Sequence, residues 1–268
     1  MKKKTLTVFG ILIAIICIIL RTVTLMYVTE GETGFFISRL IPMGIALCAA
    51  TFILTLVASA FSFSSKQKAE NCFTLSKKSG IFAIILGVSL LCYCLGFGTH
   101  PSAIQWQHTL EIVSGILSAV WFILYGMTSF ATYKLPPVTA VIPVIHWLCR
   151  IIVMFSAFST TSLVAEHIYT LCALCFTTLF MLQLGKTVSG IAGNKTLTAF
   201  FPTAICASIL TLTSSVSRLI VTLLGEMEKI HGETPLDIVG ITVGIFMLVI
   251  TADISVKEKE KNSDEIQC

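Results

Sequence analysis

Eight apolar stretches, each close to the length of a membrane-spanning helix, make up most of this chain. A helix needs about 20 mostly apolar residues to cross the hydrocarbon core of a bilayer. The pattern therefore predicts an all-α fold, a polytopic transmembrane bundle of about eight helices. Their predicted positions are residues 7–27, 40–61, 80–97, 109–131, 138–158, 164–184, 198–223 and 236–255.

The composition excludes a water-soluble fold. Hydrophobic residues make up 55% of the 268 residues, and charged residues make up only 12%. Soluble domains carry about 25% charged residues, so this chain has too few polar side chains to cover a soluble body. Most of the ten cysteines lie inside apolar stretches, which argues against a secreted disulfide framework. No basic stripe with interleaved aromatic residues is present, so we expect no nucleic-acid partner.

Basic residues indicate how the spans are oriented, because cytoplasmic flanks hold Lys and Arg preferentially. With both termini in the cytoplasm, only Arg39 and Lys229 flank the outer ends of the spans. This asymmetry predicts a multi-pass protein of the plasma membrane with cytoplasmic N- and C-termini, whose main partner is the lipid bilayer. The inner flanks then hold Lys2, Lys3, Lys4, Lys66, Lys68, Lys77, Lys78, Lys134, Lys186, Lys195, Lys257, Lys259 and Lys261.

The predicted domain organisation is a transmembrane bundle over residues 1–255, followed by a polar cytoplasmic tail over residues 256–268. The tail alternates Lys with Glu, and we expect it to be solvated and partly disordered.

Short sequence matches between the two halves of the chain suggest an internal duplication. Leu-Glu-Ile-Val opens the fourth span and Leu-Asp-Ile-Val opens the eighth, while Arg21 in the first span corresponds to Arg150 in the fifth. The repeats would be two parallel four-helix units, residues 1–133 and 134–255, with a site at their interface. The alternative is chance, because apolar helices use a small set of residue types. Small-xxx-small pairs that predict close helix packing follow each match: Ser114 and Ser118, and Gly240 and Gly244.

Three arginines lie inside apolar stretches, where each would cost roughly 2.5–3.5 kcal/mol at the centre of a lone helix. The predicted orientation places all three in the outer half of the membrane. Three acidic residues stand at the outer ends of the fourth, sixth and eighth spans, and they are the candidate ion-pair partners. The arginines are Arg21, Arg150 and Arg218, and the acids are Glu111, Glu166 and Asp237.

Helical spacing extends this charged layer into a candidate site. His146 precedes Arg150 by one turn, and Ser214 and Ser215 precede Arg218 by about one turn, so each set shares a helix face. One interpretation is an outward-facing pocket in which these side chains and Arg21 bind a small anionic solute such as a carboxylate or a phosphate. Two alternatives remain: structural ion pairs between the arginines and the acids, or arginines that extend to the outer interface.

These alternatives lead to two functional hypotheses. A site that binds a solute predicts a transporter or solute-binding membrane subunit. Structural pairing predicts a non-catalytic structural, sensory or assembly subunit that works with a membrane-protein partner.

The chain contains no nucleophile elbow, zinc-protease motif, phosphate-binding lysine loop or dinucleotide-binding glycine loop. We therefore expect neither an enzyme, nor a cofactor, nor a metal site.

Two longer stretches carry a family resemblance. Residues 21–36, RTVTLMYVTEGETGFF, join an arginine-bearing first helix to an outer loop, and residues 150–184 join an arginine helix to a short Ser/Thr turn, Glu166 and an apolar span. Together they resemble uncharacterised multi-pass integral membrane proteins of Firmicutes gut bacteria. The resemblance covers most of the chain and implies a Gram-positive bacterial plasma membrane. It implies no particular activity.

Overall fold

The chain folds as a bundle of helices. The computed structural model describes residues 3–31, 33–63, 75–97, 105–131, 133, 135–158, 165–230 and 237–265. These residues form eight α-helices, and their one strand-like pairing is an isolated bridge between Thr29 and Phe36, which confirms the predicted all-α bundle. The helices are α1 (Lys3–Val23), α2 (Ile41–Phe63), α3 (Lys77–Cys92), α4 (Gln105–Met127), α5 (Val141–Phe158), α6 (Ala165–Val188), α7 (Asn194–Leu223) and α8 (Ile238–Glu265).

Seven helical stretches of the described residues are long and apolar enough to cross a membrane. These helices fit an integral membrane protein, as the composition predicts. They are Thr7–Val28, Ser38–Ser62, Lys77–Gly96, Thr109–Met127, Pro137–Ser156, His167–Val188 and Thr198–Leu223. The apolar part of α8, Ile238–Asp253, is shorter and rises about 24 Å along the helix axis.

Side chains fix α8 antiparallel to α3 near both of its ends. The hydroxyl groups of Ser89 and Thr242 lie 2.8 Å apart, within hydrogen-bond distance. Three turns away, the Asp253 carboxylate accepts hydrogen bonds from the Ser76 backbone N–H at 3.1 Å and from the Ser79 hydroxyl at 2.8 Å. The apolar part of α8 therefore runs along most of α3, from an end of the bundle that we call the Asp237 end to the opposite, Asp253 end.

Helix α7 is the centre of the bundle, because it packs against α1, α2, α6 and α8. It is also rich in Ser and Thr, and hydroxyl groups are costly inside a membrane unless they are hydrogen-bonded. Ser208 meets this requirement by donating to Ile205 O at 2.9 Å, and Ser217 donates to Thr213 O in the same way. Bonds to the preceding turn thus allow a hydroxyl-rich helix to occupy the core.

Glycines bring α3 and α4 into close contact. A Cβ atom on Gly87 would lie 2.7 Å from Ile123 Cγ1 and 2.8 Å from Ala119 O, and one on Gly126 would lie 2.5 Å from Gly80 O. No side chain fits at these positions without displacing the partner backbone. Close approach through small residues is the usual packing mode of membrane helices.

The backbone of α8 remains helical through Glu265 and so includes residues 256–265 of the predicted polar tail, where Lys and Glu are good helix formers. In the proposed repeats α3 would correspond to α7, yet α3 packs mainly on α4 and α8 whereas α7 is central. The duplication stays a prediction.

Candidate functional site

A polar cleft lies between α5, α6, α7 and α8 toward the Asp237 end of the bundle. Its cavity volume is about 20 Å³. Trp147, Ala173, Leu174, Gly240 and Val243 form its less polar walls. The polar and charged residues that line it are Arg150, Thr170, Thr177, Thr211, Ser214, Ser215, Arg218 and Asp237.

Arg218 is buried at the α6–α7 contact, with only 1% of its surface exposed. Its Nη2 donates to Ser214 Oγ at 2.6 Å and to Thr170 Oγ1 at 3.4 Å, and its Nε donates to Ser214 O at 3.3 Å. Ser214 can contact it because residues four apart share a helix face. The guanidinium group is therefore held by hydroxyl and carbonyl oxygens at the wall of the cleft.

Asp237 precedes α8 and caps its first turn. One carboxylate oxygen, Oδ1, accepts from the Gly240 backbone N–H at 2.8 Å, and the other, Oδ2, accepts from Ser215 Oγ at 2.6 Å. Gly240 is required here, because a Cβ atom would collide with Ser215 Oγ and the carboxylate. Both Arg150 and Arg218 attract this carboxylate electrostatically, although the hydrogen bonds described for it come from uncharged donors.

Arg150 reaches the cleft from α5 and also contacts α4. Its Nε lies 3.7 Å from Glu111 Oε1, and both side chains are largely buried, with 11% and 6% of their surfaces exposed. The Tyr93 hydroxyl, in the π-helical turn after α3 (Tyr93–Phe97), donates to the same Glu111 oxygen at 3.1 Å. The guanidinium carbon of Arg150 lies 5.2 Å from the Tyr93 ring centre and 5.4 Å from that of Trp147, within the range of cation–π attraction.

Arg21 occupies a separate position between α1, α2 and α6. Its guanidinium carbon lies 4.3 Å above the centre of the Tyr169 ring, whose hydroxyl is 2.8 Å from Thr51 Oγ1 and whose face stacks on Phe52. Arg21 is not among the residues that line the cleft. The structure therefore brings Arg150 and Arg218 together with Ser214 and leaves Arg21 elsewhere. The cause is that α1 packs on another face of α7, through residues such as Ile205 and Ile209.

The other candidate residues are distributed as follows. His146 is buried and faces α4 instead of the cleft, with its Nδ1 3.2 Å from Ser114 Oγ. Ser118 is fully buried on α4. A Cβ atom on Gly244 would lie 2.7 Å from Leu212 Cγ, so this glycine lies at the α7–α8 contact. The side chain of Glu166 lies outside the described residues.

Thr177 and Tyr93 are among the residues of the site that the sequence analysis did not single out. Thr177 lies seven residues after Thr170 and therefore on the same face of α6, so this spacing was a usable signal. Tyr93 comes from a different part of the chain, and no local pattern connects it with Glu111. The cleft itself lies within the second predicted repeat, α5 to α8, instead of between the two halves.

Comparison with known proteins does not assign the chain to a family. No family model, no curated protein and no solved structure matches it. A functional assignment must therefore come from the chemistry of the cleft.

Proposed function

We propose that this chain is a bacterial plasma-membrane protein that binds a small solute through an anionic group and moves it across the membrane. The observation that carries the proposal is the convergence of Arg150 and Arg218, from two different helices, on one hydroxyl-lined cleft. Guanidinium groups match carboxylate and phosphate oxygens in geometry, and buried arginines of membrane proteins commonly mark solute pathways.

The depth of the cleft supports this role. Arg218 lies five residues before the end of α7 at Leu223, or about 8 Å along its axis, and Thr211 lies about 18 Å from that end. A bilayer core is about 30 Å thick, so the cleft extends from one side of the membrane toward its middle. Transporter sites commonly lie near the midplane. The orientation inferred from the lysines makes the Asp237 end the outer end, so solute would enter from outside the cell.

Two carboxylates of the described residues lie beside the arginines of the cleft. Arg150 Nε lies 3.7 Å from Glu111 Oε1, which is longer than a good hydrogen bond between charged groups. Asp237 accepts its hydrogen bonds from Ser215 and Gly240, so its charge acts on the arginines without a direct bond to them. A solute anion would therefore meet two guanidinium groups and several hydroxyl groups at one place in the cleft.

A second function, that of a structural, sensory or assembly subunit, is favoured by the ion pair of Arg150 with Glu111 and by the position of Arg21. In that case the arginines would stabilise the fold, and a membrane-protein partner would supply the function. The two proposals differ in one consequence: only a solute site responds to small anions in the isolated chain.

Anion binding to the full-length chain in detergent tests the first proposal. Acetate, phosphate and chloride are titrated at constant ionic strength while thermal unfolding is followed. A ligand that binds only the folded protein raises the melting temperature in a saturable manner. We expect saturable stabilisation by acetate in the wild type and in Arg39→Gln, whose arginine is exposed in the short 3₁₀ helix Ser38–Leu40 before α2. We expect that Arg218→Gln shows no saturable stabilisation by acetate.

A second, milder variant tests the site in case Arg218→Gln does not fold. Ser214→Ala removes one hydrogen-bond acceptor of Arg218 without removing a charge, and we expect it to weaken acetate binding severalfold. Anion responses that are equal in the wild type and in both variants would contradict the proposal. So would the absence of saturable stabilisation by every anion.

A further inference from the structure

Six of the described helices form a closed helix ring. Helix α3 packs on α4, α4 on α5, α5 on α6, α6 on α7 and α7 on α8, and α8 returns to α3. Helices α1 and α2 lie outside this ring, where both pack on α7 and on each other. The cleft belongs to the helix ring, because its lining residues come from the four members α5 to α8.

Three phenylalanine side chains fill the interior of the helix ring next to the cleft. The centre of the Phe246 phenyl group, on α8, lies 5.8 Å from that of Phe122 on α4 and 6.4 Å from that of Phe180 on α6, edge to face in both pairs. All three side chains are fully buried. The ring neighbours of α8 are α3 and α7, so these two contacts cross the interior. We call Phe122, Phe180 and Phe246 the aromatic plug.

The aromatic plug lies one helical turn deeper than the cleft. Phe180 follows Thr177 by three residues on α6, Phe246 follows Val243 by three on α8, and both Thr177 and Val243 line the cleft. Phe246 is nine residues from Asp237 and seven from Asp253, or about 14 Å and 10 Å along the helix axis. The plug therefore ends the cleft near the middle of the bundle.

A polar group lies on the other side of the aromatic plug. Tyr125 follows Phe122 by three residues on α4, and its hydroxyl group is buried without a hydrogen-bond partner among the described residues. The Asp253 carboxylate lies close enough to act on it electrostatically. Buried hydroxyl groups are normally paired, and water that reached Tyr125 from the Asp253 end would pair this one. Along the axis of the helix ring, polar side chains thus stand on both sides of an apolar layer.

We propose that the aromatic plug is the gate that closes the solute pathway toward the Asp253 end, and that the pathway opens when Phe246 separates from Phe122 and Phe180. This inference rests on the proposed function and specifies how passage beyond the same site is controlled. Apolar constrictions in membrane proteins close by excluding water and conduct when they become wet. Phenyl groups hold together by packing alone, so a small shift of one wall of the helix ring parts them without breaking a hydrogen bond.

Access of a thiol reagent to the cleft from the Asp253 end, the cytoplasmic side in the proposed orientation, tests the gate. Thr177→Cys is built in a background that lacks the ten native cysteines, and inverted membrane vesicles are treated with a membrane-impermeant reagent. With the plug intact we expect slow labelling. Phe246→Ser places an unpaired hydroxyl group in the plug, which favours the wet state, so we expect labelling to become at least about tenfold faster.

Two control variants separate gating from a general loosening of the bundle. Phe246→Leu keeps the plug apolar, and we expect labelling no faster than in the Thr177→Cys parent. Phe9→Ser disturbs the edge-to-face pair of Phe9 with Phe61, which lies between α1 and α2 outside the helix ring with 5.5 Å between centres, and we expect no acceleration. If Phe246→Ser does not fold, Phe122→Ser changes the facing side of the plug, and we expect the same acceleration.

The outcomes distinguish the gate from the proposed anion site. Equal labelling rates in the parent and in the plug serine variant would overturn the gate and leave the anion site standing. Equal acceleration by Phe9→Ser would also overturn it, because the plug would then have no special role. Acceleration by the plug variant alone, in a chain that no anion stabilises, would support the gate and overturn the anion site.

Discussion

The hydroxyl of Ser215 donates to the Asp237 carboxylate at 2.6 Å and so connects the central helix of the bundle to the first turn of α8. The second oxygen of the same carboxylate caps α8 through the Gly240 N–H. One side chain therefore fixes the α7–α8 contact, starts α8, and places a negative charge beside Arg150 and Arg218. The shape of the cleft depends on this connection.

Gly240→Ala tests that connection. The new methyl group would collide with Ser215 Oγ and the Asp237 carboxylate, so we expect a loss of about 1–3 kcal/mol, partly offset by the better helix propensity of Ala. Thermal unfolding in detergent measures the change. Gly193→Ala is the matched control, because nothing lies within 4 Å of its added Cβ, and we expect a change of only a few tenths of a kcal/mol there. Similar melting temperatures for both variants would contradict the prediction.

The buried pair of Arg150 with Glu111 should be strongly coupled. Removing one partner leaves a charge in a low-dielectric environment, so Glu111→Gln or Arg150→Gln alone should cost about 3–5 kcal/mol. The double variant should cost much less than the sum of the two. A double-mutant cycle on unfolding free energies measures the coupling.

The pair Lys229–Glu226 is the control for that cycle. Its two atoms are closer, at 3.2 Å, but its side chains are more exposed, at 19% and 38%. We expect a coupling of about 0.3–0.5 kcal/mol, because solvent screens exposed ion pairs. A buried pair that couples no more strongly than this exposed pair would show that Arg150 is not held by Glu111.

Arg21→Met should stabilise the protein. Arg21 is 2% exposed, and within the described residues its Nη1 has no hydrogen-bond partner. The cation–π contact with Tyr169 returns about 2 kcal/mol, whereas removing a charge from water costs several kcal/mol. We expect a higher melting temperature and unchanged acetate binding. A variant that melts lower, or that no longer binds acetate, would assign Arg21 to the site after all.

The sequence predicted the helical class and most span positions, because apolar length alone determines them. It also predicted the shared polar face of α7, since Ser214, Ser215 and Arg218 recur at helical spacing and all line the cleft. It did not predict that Arg21 lies apart, because the spacing within α1 does not determine which neighbour its polar face meets. The contact of Tyr93 with Glu111 escaped prediction for the same reason, as it depends on the packing of α3 against α4.

Asp253 offers a test of the opposite end of the bundle. Its carboxylate accepts from the Ser76 N–H and the Ser79 hydroxyl, so Asp253→Ala removes both bonds between α8 and the start of α3. We expect a loss of about 1–2 kcal/mol and faster amide exchange in the first turn of α3. Hydrogen exchange followed by mass spectrometry measures this. Unchanged exchange in that turn would mean that α3 holds its position without α8.

Labelling of Ser214→Cys tests most directly whether solute reaches the cleft from outside the cell. The variant is built in a background that lacks the ten native cysteines, and intact cells are treated with a membrane-impermeant thiol reagent. Leu179→Cys, on a surface that is 45% exposed on the apolar exterior of α6, is the control and should remain unlabelled. We predict that Ser214→Cys reacts in intact cells and is protected by excess acetate. Reaction only in inverted membrane vesicles, or none from either side, would contradict an outward-facing solute site at Arg218.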